Sequence, residues 1–245
     1  MPPLRAYVYF DGFNFYNGCL KNPRRPPQWS QCKWLDLEKY CDLILGAYDV
    51  QRVRYFTAEV KSLPNDPAAP ERQQTYLRAL ESLSRVSVHR GQFYVHPKWR
   101  YLARPSGNKH KLPLETARVI IPEEKGSDVN LASYLLTDGF LDLYDTAVVI
   151  SNDSDLATPI EIVTTTIGKP VILLNPHLTL AFHLSGIQGV LYREMRLGPL
   201  TASQFPHKFA DEHGDIEKPS SWQFPIYPSS ASNPHYPQNS RAVRT

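Results

Sequence analysis

Cysteine is scarce in this chain. Cys19, Cys32 and Cys41 are the only three, and no two form a Cys-x-x-Cys pair. So odd and sparse a set argues against a disulfide framework and a structural zinc site, and fits a reducing compartment. Long apolar runs are also missing, and none approaches the roughly 20 residues that a membrane helix needs. The first apolar stretch, Ala6-Tyr7-Val8-Tyr9-Phe10, is too short and too aromatic for a secretory core segment, so the expectation is a cytoplasmic protein with no membrane partner. There is no Gly-x-Gly-x-x-Gly loop of the flavin or nicotinamide type, no evident set of two histidines and a carboxylate, and no internal repeat. What is present is an ordinary globular composition, 42% hydrophobic over 245 residues, which rules out wholesale disorder.

Charge is unevenly placed. Residues 1–123 carry 19 Lys/Arg against 11 Asp/Glu, and residues 124–245 carry 8 against 13. The basic excess peaks between Arg85 and Arg118, where Arg90, Lys98, Arg100, Arg104, Lys109 and Lys111 alternate with Phe93, Tyr94, Trp99 and Tyr101. Cations neutralise phosphates and flat rings stack on unpaired bases, so this mixture suits single-stranded nucleic acid. A solvated loop with locally packed rings would have the same composition.

Periodicity gives an alternation of strands and helices. Strands are expected at 5–10, 51–60, 86–95, 147–150, 170–174 and 189–192, and helices at 13–20, 34–46, 71–84, 129–144 and 156–167. The runs Ala147-Val148-Val149-Ile150 and Val171-Ile172-Leu173-Leu174 are bare of polar residues, as in parallel strands buried on both faces. The pattern is that of an α/β fold, a parallel sheet flanked by helices. The last 47 residues hold seven prolines and few aliphatics, so the expected division is a domain at 1–198 and a mostly extended or disordered tail at 199–245.

Three acidic clusters fall at strand ends or helix starts: Asp11-Gly12-Phe13-Asn14, Ser127-Asp128, and Ser151-Asn152-Asp153-Ser154-Asp155. Each alone would serve as a turn or a helix cap. Together, Asp11, Asp128, Asp153 and Asp155 would meet at one sheet margin, where like charges repel unless a cation binds. Oxygen ligands without thiolate or imidazole favour Mg²⁺ or Mn²⁺. Such a site would activate water against a phosphodiester, with Asn14 positioning an oxygen and Lys125 approaching a phosphate. His177 and His183, after Asn175-Pro176, read as surface or core residues.

The segments Tyr9–Asn14, Lys125–Val129 and Ile150–Leu156 resemble, in order, the three motifs of the NYN domain, the LabA-like branch of the PIN-domain nuclease superfamily. The resemblance covers about residues 5–193. It implies a PIN-like (Rossmann-like) sheet and metal-dependent ribonuclease action on single-stranded or structured RNA. It places Asp11, Asn14, Asp128, Asp153 and Asp155 on the family's acidic-site positions, and implies a homodimer as one assembly. Asn152 stands where the family commonly has glycine, and an insertion at about 88–113 lies outside the shared core. That insertion carries the expected RNA-binding cations Arg90, Lys98, Arg100, Lys109 and Lys111. Two alternatives accompany this reading. One is a non-catalytic RNA-binding module on the same fold. The other is a small-molecule hydroxylase of the 6-hydroxy-3-succinoylpyridine type, since some relatives resemble such enzymes of nicotine breakdown.

Overall fold

A computed structural model of the chain describes residues 2–102 and 115–223. Among these residues, seven strands form one curled sheet in the order β4-β3-β2-β1-β5-β6-β7. The strands are β1 (Leu4–Asp11), β2 (Tyr48–Ala58), β3 (Val86–Tyr101), β4 (Thr116–Lys125), β5 (Thr146–Ile150), β6 (Val171–Asn175) and β7 (Val190–Glu194). All neighbouring pairs are parallel except β3–β4. The helices are α1 (Gly12–Phe15), α2 (Leu37–Ile44), α3 (Ala69–Glu81), α4 (Ser127–Phe140), α5 (Ala157–Ile162) and α6 (Leu197–Ala202). α1 and α5 each run on into a wider π-helical turn, Tyr16–Leu20 and Val163–Ile167.

Alternation along the strands sorts the core into two layers. Ala6, Val8 and Phe10 of β1 join Val148, Ile150, Ile172 and Leu174 on one face, packed with α2 and α3 residues. Tyr9, Ala147, Val149, Val171 and Leu173 face the other way, onto Leu131 and Leu135 of α4 and Ile160 of α5. Every residue of β5 and β6 is buried, as expected for the centre of a parallel sheet covered on both sides.

Two expectations are revised. The segment after Pro199 does not leave the domain. Leu200, Phe205 and Ile216 are buried in the first layer, and β8 (Lys208–Asp211) pairs antiparallel with β9 (Gly214–Glu217). Trp34 holds this segment, donating from Nε1 to the Pro206 carbonyl at 2.8 Å and packing against Phe205, Phe209 and Trp222. A few aromatics replace the missing aliphatics, since each ring buries a large area. The expected border at 198 therefore does not mark the end of the packed chain, and residues 224–245 lie outside the described residues. The second revision concerns the 88–113 insertion. Much of it is ordered ladder, with Gln92–Tyr101 pairing with Thr116–Lys125 past the point where β2 ends.

Candidate functional site

The strand order reverses between β1 and β5, and ligands of open α/β sheets bind at such a switch point, beyond the carboxyl ends of the strands. Asp11 ends β1 there and Ser151 follows β5. β4 runs antiparallel and delivers its end, Lys125, opposite Gln92, so α4 starts at the same margin.

Asp11 is only 4% exposed. It caps α1, its Oδ1 accepting from the Asn14 N–H at 2.9 Å. Its Oδ2 accepts from the Ser151 hydroxyl at 2.8 Å. The same hydroxyl oxygen accepts from the Asp153 N–H at 3.0 Å, and Asp153 Oδ1 in turn accepts from the Asp155 N–H at 2.9 Å. Asn14 Oδ1 accepts from the Asn152 N–H at 2.9 Å. These contacts form a chain of local caps that ties the β1 turn to the β5 turn. Burial pushes the Asp11 carboxyl up to about 7, with Asp128 and Asp153 adding to the rise and the bonds from Asn14 and Ser151 opposing it. Asp128, half-buried in the first turn of α4, is pushed up to about 6, first by burial, then by Asp153, Glu124 and Asp155. The carboxyls therefore do converge closely enough to act on one another.

They are not arranged around an ion. Among the described residues, no group of three or more His, Cys, Asp or Glu side chains is placed to hold a metal. Both Asp11 oxygens and Asp153 Oδ1 already face N–H or O–H donors, and Asp155 is exposed. The expected Mg²⁺ or Mn²⁺ centre of Asp11, Asp128, Asp153 and Asp155 is thus corrected. Sequence proximity to a strand end does not fix a carboxylate's direction, and here the Asp11 and Asp153 oxygens are turned toward the donors of their own turns.

The cations expected to bind RNA are largely matched by carboxylates. Arg90 pairs with Glu81 at 2.6 Å and Glu59 at 3.4 Å. Lys98 lies 2.5 Å and Arg100 3.9 Å from Glu123. Lys125 is exposed at the end of β4, while Lys109 and Lys111 fall outside the described residues.

Some residues at this margin were not among the expected site residues, although Ser127, Ser151 and Asn152 lie within the motifs. Ser151, fully buried, is the hub that joins Asp11 to the Asp153 turn. Ser127 is 2% exposed, and its hydroxyl has no partner among the described residues. His177, just beyond β6, lies against Gly18, where an added Cβ would meet its Cδ2 at 2.6 Å. Burial lowers its pKa, so it is neutral near pH 7. Asn152 is accommodated without a left-handed backbone. Its side chain donates to the Thr179 carbonyl at 3.0 Å and accepts from the Ala181 N–H at 2.8 Å, holding the loop after β6. Replacing Asn152 with alanine should cost about 1–2 kcal/mol for these two bonds, read as a lowered urea midpoint at unchanged slope.

No family model matches the chain. Over 182 residues it is 31% identical to the 6-hydroxy-3-succinoylpyridine 3-monooxygenase HspA of Pseudomonas putida, a match that takes in 66% of this chain and 56% of that protein. The chain thus spans about half the length of this relative. Among solved structures, a protein of unknown function from Vibrio parahaemolyticus aligns with a TM-score of 0.49 at 14% identity, over 79% of this chain and 94% of that one. None of the described helices is long and apolar enough to cross a membrane. The named relative is a monooxygenase, an oxidoreductase rather than a hydrolase. The expectation of a metal-dependent endoribonuclease is corrected accordingly.

Proposed function

We propose that this chain acts as a monooxygenase on a hydroxylated nitrogen heteroaromatic of the 6-hydroxy-3-succinoylpyridine kind, carried on a PIN-like α/β sheet. The observation that carries the reading is the 31% identity to HspA, and the geometry of the switch point supplies a role for this chain's own residues. In such a ring the 6-hydroxyl is para to C3, the carbon that the relative's name marks as oxygenated. Removing the hydroxyl proton pushes electron density onto C3 and prepares it for an electrophilic oxygen. Because C3 carries the succinoyl carbon, restoring the ring then requires the C3–carbonyl bond to break and the four-carbon acyl group to leave. A general base works best when its pKa is close to the working pH, and Asp11, held near 7 by burial, meets that condition. Ser151 and Asn14 fix its direction.

Monooxygenation also consumes two electrons, delivered from a reduced nicotinamide, commonly through a flavin. The residues at this margin do not fit a dinucleotide. The first turn after β1 presents the buried Asp11 carboxyl, which would oppose a diphosphate. An added Cβ on Gly12 would strike the Tyr55 ring at 2.6 Å and the Phe56 carbonyl at 2.9 Å, so this glycine makes room for protein rather than for phosphate.

The test is oxygen uptake by the purified chain with 6-hydroxy-3-succinoylpyridine and NADH, with and without added flavin. Substrate-dependent uptake is expected, with kcat/KM rising with pH through about 7 as Asp11 ionises. Asp11→Asn should lower it about 100-fold or more, the usual range for losing a general base. Uptake that does not depend on the pyridine under any of these conditions would end this reading.

A further inference from the structure

Between Asp11 and Asp36 the chain has no acidic residue, yet it carries Lys21, Arg24, Arg25 and Lys33. This connection leaves the carboxyl end of β1 and leads to α2, so it borders the margin where Asp11 sits. Lys21 and Arg24 are exposed and need no partner but water. Lys33 lies toward α3, where burial and then Arg72 lower its pKa. Arg25 turns back to the margin. Its Nε donates to the Gly18 carbonyl at 2.9 Å and its Nη2 to the Pro176 carbonyl at 2.8 Å. The guanidinium also lies over the buried Trp29 ring, 3.9 Å from its centroid.

Those contacts place it closely. Gly18 belongs to the turn that continues α1, and Pro176 directly follows β6. β5 lies between β1 and β6 in the sheet, so one side chain joins the loops that flank the end of β5. Its charge reaches His177, whose pKa is lowered first by burial and further by Arg25, with the Asn14 backbone opposing. Asn14 in turn caps onto Asp11. Arg25, His177, Asn14 and Asp11 therefore follow one another along the margin.

The guanidinium is unmatched in charge. It has five N–H donors, and the two bonds it makes go to neutral carbonyls. Arg54, Arg78 and Arg85, also half-buried, each meet a carboxylate, whereas Arg25 meets none among the described residues. A guanidinium held by two carbonyls and an indole, with Nη1 still without a partner, is preorganised for the planar, bidentate pairing that a carboxylate offers.

We infer that Arg25 binds the free carboxylate at the end of the substrate's acyl chain. The inference rests on the monooxygenase reading above and adds a second anchor to it. In 6-hydroxy-3-succinoylpyridine the hydroxyl and the acyl chain leave the ring at opposite ends. A substrate whose hydroxyl reaches Asp11 thus extends its carboxylate away along the margin. The carboxylate is remote from C3, so Arg25 sets affinity and selectivity and moves no proton.

The test compares 6-hydroxy-3-succinoylpyridine with its methyl ester, which keeps the ring and chain but loses the charge. Calorimetric titration of the full chain should show the acid binding about tenfold or more tightly than the ester, the range for charge-assisted bonds. Arg25→Gln should bring the two within about twofold, while Arg24→Gln, at the exposed neighbour, should keep the wild-type preference. In oxygen uptake, Arg25→Gln should raise KM for the acid about tenfold or more with kcat nearly unchanged. If Arg25→Gln does not fold, the wild-type comparison of acid and ester decides alone. A wild type that binds both equally, or an Arg25→Gln variant that keeps the preference, would overturn the inference. So would NADH binding that Arg25→Gln abolishes while the acid still binds, since the guanidinium would then serve a phosphate. Arg25-dependent preference for the acid without oxygen uptake would support the carboxylate site and end the monooxygenase reading. Uptake as efficient with the ester as with the acid would do the reverse.

Discussion

Replacing Asp138 with alanine is expected to cost about 3–5 kcal/mol of folding stability, the range for removing one partner of a buried ion pair. Asp138 is 2% exposed and lies on the inner side of α4. Its Oδ2 accepts from Arg54 Nε at 2.7 Å and from the Tyr9 hydroxyl at 2.8 Å, and its Oδ1 accepts from Arg54 Nη2 at 2.9 Å. The guanidinium also lies over the Tyr134 ring, 4.5 Å from its centroid. Alanine would leave a cation and a phenol buried and unmatched, which costs more than the lost attraction. The double variant Arg54→Met/Asp138→Leu removes both charges at similar volume and should recover most of the loss. Urea unfolding of the three proteins checks this. A double variant no more stable than Asp138→Ala would show that the pair itself, not the orphaned charge, sustains the layer.

Asp11→Asn should instead stabilise the protein, and increasingly so at higher pH. The folded carboxyl titrates near 7 because of burial, against about 3.9 in an unfolded chain. Between these values the native state keeps a proton that the unfolded state has lost. The group's contribution to stability is therefore complete below about pH 4 and drains away as pH rises through 7. At pH 8 the wild type bears the full cost of a buried charge, and the amide should be more stable by about 2–4 kcal/mol. The amide oxygen can still accept from the Asn14 N–H, so the cap survives. Thermal melts at pH 4, 6 and 8 should show the gap opening with pH, and a constant gap would mean that Asp11 is ionised throughout. Asp11→Asn should thus gain stability while losing turnover, the trade-off expected where a strained group serves function.

Much of the fold could be read from the sequence, because the signals were local. The runs at 147–150 and 171–174 are apolar without interruption and became the fully buried β5 and β6. Asp11, Asp128 and Asp153 sit at breaks in periodicity, and those breaks do meet at one margin. The direction of each carboxylate was not legible. It depends on whether an N–H two or three residues along the chain points back, and for Asp11 also on Ser151, 140 positions away. Asp138 gave no warning either, since an acidic residue on a helix reads as solvent-facing until Arg54 and Tyr9 are seen beneath it. The cation-rich stretch misled for a related reason. Glu59, Glu81 and Glu123 are sparse and scattered in sequence, yet they lie beside Arg90 and Lys98 in space.

The aromatic seal around Trp34 has a consequence for biosynthesis. α2 and α3 form in the first third of the chain, but the rings that close over Trp34 come from Phe205, Phe209 and Trp222. A ribosome delivers residues in order, roughly 5–20 per second. The nascent amino-terminal layer therefore waits on the order of ten seconds with an indole exposed before its cover emerges. Over that interval it is the part of the polypeptide most dependent on a chaperone.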